Sequence, residues 1–307
     1  MTTSTFSRRC FLAMSATLPW ALSGLRFAGL AMAAGSLDSA RGGLGAPASG
    51  TAAGSIPIGL ELYSVRDGLE KDPFATVRAV AQMGYQVVEF YAPYMDWSED
   101  QTKQMRKLMD DLGIHCYSTH NDEDYFNAKN IERTRDRNLI LGSKYVVQAW
   151  SDPKPALSGW KALADALNAA AEKLEPAGLK VGYHNHDAEW KPVEGKRPME
   201  VLAANTKPTV VLQLDVGTCL EAGADPVAWI RANPGRIRSI HLKDWSSDPN
   251  IGYKALFGEG KADWKGIFGA AESVGGVEYY LIEQEGSRYS ELETAQRCLE
   301  AYRKTHG

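Results

Sequence analysis

One local pattern recurs along the chain: residues with helical apolar spacing, then a glycine, then a short apolar segment. It appears at Met83-Gly84 before QVVEF, Leu112-Gly113 before IHCYST, Leu141-Gly142 before KYVVQ and Ala177-Gly178 before LKVGYH, then at Pro234-Gly235 before RIRSIHL and Gly275-Gly276 before VEYYLIE. Glycine ends a helix because it takes the left-handed conformation at little cost and lets the chain turn back into a strand. Trp160, Leu163, Leu167, Ala170 and Leu174 follow three-to-four spacing, as do Phe74, Val77 and Val80. With IPIGLEL (56–62) as the first strand and TVVLQLD (209–215) as the sixth, eight strands alternate with helices. Strict alternation implies parallel strands joined by helical crossovers. Eight such units in roughly 250 residues is the size of a closed (β/α)8 TIM barrel. An open doubly wound sheet is the rival, but no G-x-G-x-x-G follows the first strand. A single barrel domain is therefore expected over residues 56–307.

The first 55 residues have a different character. Ser7-Arg8-Arg9-Cys10-Phe11-Leu12 resembles a twin-arginine export signal, and the mildly apolar stretch after it is broken by Pro19 and Arg26. That stretch is too weakly apolar for a stable transmembrane anchor. Ala31-Met32-Ala33 offers a cleavage site. Residues 1–34 are expected to be a cleavable twin-arginine signal peptide, and residues 35–55, rich in Gly, Ala and Ser, a flexible linker. The expected location is periplasmic or otherwise exported, with no stable membrane insertion after cleavage. The resemblance implies export in the folded state, often with a metal or cofactor already loaded.

Outside the signal the cysteines are Cys116, Cys219 and Cys298, an odd number without CxxC spacing, so neither a disulfide framework nor a zinc ribbon is expected. A net charge of −4 supplies no general attraction for phosphate backbones, and no nucleic-acid partner is expected.

Barrel chemistry gathers where the strands end and the βα loops begin. The residues there are Glu89 after strand 2, His120 after strand 3, Gln148 after strand 4, and His184 and His186 on strand 5. Asp215, His241 and Glu283 follow from strands 6, 7 and 8. A lone His or Asp at a strand end is usually a turn or capping residue; seven consecutive strands each delivering a polar side chain to one rim point to a site. Side chains alternate along a strand, so His184 and His186 face the same side, roughly 6.5 Å apart. A single ion takes one of them directly and leaves the other to bind or protonate a substrate; a hydrogen-bonded pair without metal is the alternative. The mixed nitrogen and oxygen set suits Mn, Co, Zn, Fe or Ni better than Ca.

Trp97, Trp150, Trp190 and Trp245 fall just after strands, where their faces can pack on pyranose rings or simply fill loops. Lys243, two residues after His241, is placed to stabilise an oxyanion or to lie in solvent. Gly258-Glu259-Gly260-Lys261 lies where barrels often bind phosphate, yet without a Walker pattern it reads as a turn, with Asp263 capping the next helix.

From Ile58 onward the chain resembles the xylose isomerase-like TIM barrel superfamily, in its sugar phosphate isomerase/epimerase branch. The segments that carry the resemblance are IGLELYSVRD, MGYQVVEF, GYHNHDAEW, QLDVGTCLEAGADPVAWI, GRIRSIHLKDW, FGEGKADWKGIF and YYLIEQE. In such proteins Glu, Asp, His and Glu from strands 5 to 8 hold a divalent metal. Asp215, His241 and Glu283 match the last three, and His184 stands where the first Glu is usual. A second departure is Thr218, then Cys219, where many relatives have a His three residues after the Asp. The epimerases of this family shuttle protons with two metal-bound glutamates, which puts two-base epimerisation in question here.

The resemblance implies one divalent metal ion (Mn, Co, Zn, Fe, Ni or Mg) held by His184, Asp215, His241 and Glu283. The expected catalytic residues are Glu283, His184, His186 and Lys243. The expected substrate-binding residues are Glu89, His120, Gln148, Trp150, Trp190 and Trp245. The expected activity is metal-dependent isomerisation or epimerisation of a carbohydrate through an enediolate, in a possible homo-oligomer. The alternatives are a 3-keto-glycoside lyase or hydratase, a non-catalytic sugar-binding barrel and, last, an apurinic endonuclease, whose three-zinc site needs more ligands than this rim supplies.

Overall fold

A computed structural model describes residues 56–306. The signal peptide expected at 1–34 and the linker expected at 35–55 lie outside the described residues. Among the described residues, eight parallel strands follow one another around a closed barrel. They are β1 (Ile58–Glu61), β2 (Val87–Phe90), β3 (His115–Asp122), β4 (Tyr145–Trp150), β5 (Lys180–His184), β6 (Val211–Asp215), β7 (Ser239–His241) and β8 (Tyr279–Ile282). β8 pairs back onto β1, with Gly59 opposite Leu281, and this pairing closes the sheet.

The covering helices are α1 (Arg66–Lys71) and α2 (Pro73–Met83), α3 (Glu99–Leu112), α4 (Ile131–Leu141), α5 (Leu157–Leu174), α6 (Pro198–Asn205), α7 (Val216–Glu221) and α8 (Pro226–Ala232), α9 (Trp264–Ala270) and α10 (Glu291–His306). Their starts and stops are local chemistry. Asp72 caps α2 by accepting from the Ala75 N–H, Ser98 and Gln101 form a reciprocal capping box on α3, and Asp263 caps α9 as expected. Each of the six pattern glycines has positive φ, for example 96° at Gly84 and 80° at Gly178, a conformation a side chain makes costly. α5 buries Trp160, Leu163, Leu167, Ala170 and Leu174 and packs on β5. No helix among the described residues is long and apolar enough to cross a membrane.

The barrel interior is layered. Val87, Tyr145, Val147, Val211, Tyr279 and Leu281 form a small apolar cluster of their own, with Tyr117 against it. Gly59 leaves room for it: a Cβ there would lie 2.8 Å from both Val87 and Leu281. Two residues further along β2, β6 and β8, alternation puts Glu89, Gln213 and Glu283 on the same inward side. The polar floor of the barrel mouth therefore rests on a packed apolar plug.

Several strand limits differ from the sequence expectation. β3 runs on to Asp122, so His120 lies within it, and β4 ends on Trp150 itself. β5 stops at His184, so His186 belongs to the loop beyond it, with its N–H taken by the Glu189 carboxylate at 2.8 Å. β7 keeps only Ser239–His241; Arg236 before it instead donates to the carbonyls of Ala203 and Val210 and to the Thr206 hydroxyl.

Candidate metal centre and active site

Strands β5 to β8 bring His184, Asp215, His241 and Glu283 together, each fully or almost fully buried. One ligand atom from each lies within 4.8 Å of the others. Asp215 is oriented from behind. Its Oδ1 accepts from the Thr218 N–H at 2.7 Å and from the Thr218 hydroxyl at 2.9 Å. Asn185 donates to that hydroxyl at 3.0 Å and accepts from the Asp215 N–H at 3.1 Å, so the chain just after β5 braces the end of β6. Asp215 Oδ2 is buried without a hydrogen-bond partner among the described residues. Two imidazoles and two carboxylates, one of them with an oxygen that accepts no hydrogen bond among the described residues, are a donor set that a divalent cation satisfies.

Gln213, one step inward of Asp215 on the same face of β6, sets the histidine tautomers. Its Nε2 donates to Glu89 Oε1 at 2.9 Å and to the Ser239 hydroxyl at 3.0 Å. Glu89 accepts as a carboxylate: burial pushes its pKa up, but His120 and His241 outweigh burial and hold it below the usual value. The Gln213 amide is thereby oriented, and its Oε1 faces His120 Nε2 at 2.6 Å and His184 Nδ1 at 3.0 Å. Both nitrogens must donate to it, which leaves His184 Nε2 with the free lone pair a metal needs. Glu89 Oε2 also accepts from His241 Nε2 at 2.7 Å, while His241 Nδ1 bonds Glu283. Carboxylates behind metal-ligating imidazoles are the usual means of fixing ring orientation.

The electrostatics follow from this packing. Burial disfavours charge on His241, but Glu89 and Glu283 outweigh it and hold its pKa well above the ordinary imidazole value. His184 goes the other way, held well below that value by burial and by the neighbouring His241 and His120. Burial opposes ionisation of Glu283, yet Lys243 and His241 keep it well below the usual carboxylate range. Burial raises Asp215, with Lys243 partly offsetting it.

Lys243 is 1% exposed despite its charge. Its Nζ lies 3.3 Å from Glu283 Oε1 and 3.7 Å from Asp215 Oδ2, bonds Glu285, and sits 4.8 Å from the centroid of the Tyr253 ring. Burial alone would neutralise this amine; the three carboxylates, Glu283 first, keep it protonated. His186 is half-buried at the mouth, its ring centroid 5.0 Å from that of His184. Burial, then Lys243, lowers its pKa, so it is a neutral imidazole near pH 7.

The expected substrate-binding residues lie in different places. Trp150 is 45% exposed, its ring edge-to-face with His186 at 5.3 Å, and so offers an open aromatic surface beside the centre. Trp190 is buried against Trp229, with ring centroids 5.0 Å apart, and belongs to the helix-side core. Trp245 is half-buried under Lys261, and Trp97 packs edge-on to Phe90. Gln148 is buried and donates to the Trp150 carbonyl at 3.2 Å. Glu89 and His120 sit within the buried network behind the His184, Asp215, His241 and Glu283 cluster, 3.1 Å apart.

Sequence reading did not single out Gln213, Glu61, Asn185 or Asp244. The first two carried a signal, since each is two residues from an inward-facing position on its strand. Asp244 resolves the Gly258-Glu259-Gly260-Lys261 turn. Its buried carboxylate accepts from the N–H groups of Gly258 and Gly260, each at 3.0 Å, of Ala262 at 3.2 Å and of Trp245 at 2.9 Å, and from Trp264 Nε1 at 3.1 Å. The donors that a phosphate loop would offer to its ligand are taken by an internal anion.

The sequence pattern of the xylose isomerase-like TIM barrel matches residues 77–305. An inosose dehydratase of Clostridium tetani (strain Massachusetts / E88) is 29% identical over 154 residues, 44% of this chain and 51% of that enzyme, so the chain spans about half the length of this curated relative. A sugar phosphate isomerase/epimerase from Parabacteroides distasonis ATCC 8503 superposes with a TM-score of 0.69 at 24% identity, over 83% of this chain and 96% of that one. The IOLI protein, solved with a bound zinc atom, superposes with a TM-score of 0.64 at 16% identity, over 81% and 96% of the two chains. These structural likenesses are likenesses of fold.

Proposed function

The chain belongs to the xylose isomerase-like TIM barrel family, and from that premise we propose that it is a divalent-metal-dependent carbohydrate enzyme that removes a proton beside a carbonyl and works through an enediolate. The observation that carries this reading is the convergence of His184, Asp215, His241 and Glu283 within 4.8 Å, with Asp215 Oδ2 lacking a hydrogen-bond partner among the described residues. Those four residues would hold the ion. When bound, the cation supplies Lewis acidity to a substrate carbonyl and its neighbouring hydroxyl. The IOLI protein's zinc supports a metal in this fold without identifying this chain's own.

The chain's residues supply the rest. His186, neutral and at the mouth, accepts a proton from the carbon beside the carbonyl. The Lys243 ammonium, held in place by Glu283 and Glu285, stabilises the developing oxyanion or the charge on a departing oxygen. Trp150 packs on the apolar face of a sugar ring. Isomerisation, epimerisation and elimination share this first step and differ in where the proton goes next.

Elimination of a β substituent is favoured over two-base epimerisation by a specific feature. With His184 in the first ligand position, Glu283 is the one glutamate of the ligand set, while the buried Lys243 ammonium can stabilise the negative charge on a departing oxygen. The inosose dehydratase relative carries out a reaction of this class by its name, and supports the reading to the extent that half its length is matched. We also infer export of the mature barrel, on the Arg8-Arg9 motif; finding it in the cytoplasmic fraction, with its first 34 residues intact, would remove that inference.

The test of the main reading is incubation of the metal-loaded protein with inosose, 3-keto-glycosides and free aldoses and ketoses in deuterated buffer. Deuterium entering the carbon beside the carbonyl, abolished by a chelator, supports an enolising enzyme. A dehydrated or cleaved product selects elimination. No exchange with any member of the panel, and no stoichiometric metal, returns the chain to a sugar-binding barrel.

A further inference from the structure

Glu61 is the last residue of β1, 1% exposed. Its Oε2 accepts from the Tyr63 N–H at 2.9 Å, while Oε1 is buried with no hydrogen-bond partner among the described residues. Alternation from Gly59, whose missing side chain faces the apolar plug, turns Glu61 into the barrel mouth. A buried carboxyl oxygen without a partner is costly, and a ligand that donates to it is one way of completing it. Nearby Glu283 and Glu89 add electrostatic cost, raising the pKa of a carboxyl already raised by burial. Glu61 belongs to neither the His120, His184 and His241 group nor the His184, Asp215, His241 and Glu283 group.

Its surroundings suit a hydroxylated ligand. Tyr63 and Tyr91 are half-buried, packed edge-to-face at 5.3 Å, and each lies within electrostatic range of Glu61. In a closed barrel of eight strands, β1 lies across from β5. A ligand seated over the centre thus has His186 and Trp150, at the ends of β5 and β4, on one side and Glu61 with the two tyrosines on the other.

Building on the carbohydrate reading above, we propose that Glu61 is a substrate-contacting residue whose free carboxyl oxygen hydrogen-bonds a ring hydroxyl, forming with Tyr63 and Tyr91 a polyol subsite on the β1–β2 side of the mouth. This subsite selects substrates bearing a hydroxyl remote from the carbonyl and its metal-binding neighbour.

The test compares the full-length, metal-loaded protein with its Glu61→Leu and Glu61→Gln variants. Metal affinity is read by chelator competition, sugar binding by titration with inosose and D-fructose, and folding by thermal melting without sugar. Expected are metal affinities within about threefold of the parent, a melting temperature unchanged or raised in Glu61→Leu because the orphaned oxygen is gone, sugar binding weakened about tenfold or more in Glu61→Leu, the cost of one hydrogen bond to a carboxyl, and partial recovery in Glu61→Gln. Equal sugar binding by parent and Glu61→Leu overturns the subsite. So does a loss of more than tenfold in metal affinity, which makes Glu61 a partner of the cation instead. If the parent itself binds neither sugar and exchanges no deuterium with the wider panel, the carbohydrate reading fails and takes the subsite with it.

Discussion

Thr218 holds Asp215 twice, through its backbone N–H at 2.7 Å and its hydroxyl at 2.9 Å, both to the same carboxylate oxygen. The other oxygen accepts no hydrogen bond among the described residues and lies 3.7 Å from Lys243 Nζ. Position 218 is one of the two departures noted in the sequence, and here it orients the Asp215 carboxylate rather than adding an imidazole to the cluster. Thr218→Val keeps the backbone bond and removes the hydroxyl one. Metal affinity should fall about tenfold or more, the usual consequence of losing a partner behind a ligand, with a stability loss of about 1 kcal/mol in the metal-free protein. Chelator competition and urea unfolding measure the two separately; an unchanged affinity would mean that the N–H alone suffices.

Gln213 carries a heavier load. It bridges His120, His184, Glu89 and Ser239 at 2.6 to 3.0 Å. Gln213→Leu removes the buried partner of His184 Nδ1, of Glu89 Oε1 and of the Ser239 hydroxyl, and one of two partners of His120 Nε2, where each lost partner costs about 1–3 kcal/mol. The expected result is destabilisation by about 3 kcal/mol or more in chemical unfolding. A cobalt-loaded sample should also show an altered visible spectrum, because His184 is free to turn its other nitrogen to the ion. A stable variant with the parental spectrum would sink the tautomer argument.

Metal binding should release protons, and His241 is the source. Its folded-state pKa is raised, so its stabilising contribution is complete below the ordinary imidazole value of about 6.5 and is lost as pH rises through the raised value. His184 has the opposite sign. It is neutral in the folded protein, and its own contribution is lost as pH falls below about 6.5, where the unfolded chain takes up a proton. Near pH 7, therefore, a cation displaces about one proton, from His241, and none from His184. Calorimetric titration in two buffers of different ionisation enthalpy counts that proton directly. Affinity should climb with pH until His241 deprotonates unaided.

The barrel was legible because its punctuation is local. A glycine such as Gly84 or Gly178 marks a helix end whatever lies around it, and repetition of that mark counts the units. The cluster His184, Asp215, His241 and Glu283 was legible because parallel strands deliver their ends to one rim. What could not be read was which polar side chain meets which. Gln213 and Glu61 look like ordinary strand residues until neighbouring strands fix their partners. Trp150 and Trp190 both lie near the ends of strands, yet Trp190 packs on Trp229 in the core and Trp150 is exposed, a difference that tertiary packing makes.

Asp244 gives the last prediction, concerning what the loop after β7 can bind. Glycines near this position in a barrel suggest a phosphate cradle, but their N–H groups converge on the Asp244 carboxylate. The fit is close: a Cβ on Gly260 would lie 2.0 Å from Asp244 Oδ1, so this glycine is required by the internal anion rather than by an external one. Adding inorganic phosphate should leave the melting temperature unchanged, and a sugar should compete equally with its phosphate ester. Asp244→Asn places an NH2 group against backbone donors that have no other acceptor nearby, and should destabilise by about 2–4 kcal/mol. Asp244→Gly opens an anion-sized gap lined by those same donors, so phosphate should stabilise that variant while leaving the parent unaffected, as parallel melting curves would measure. Phosphate stabilising the parent would mean that this loop binds an outside anion after all, and that phosphorylated sugars must return as substrates.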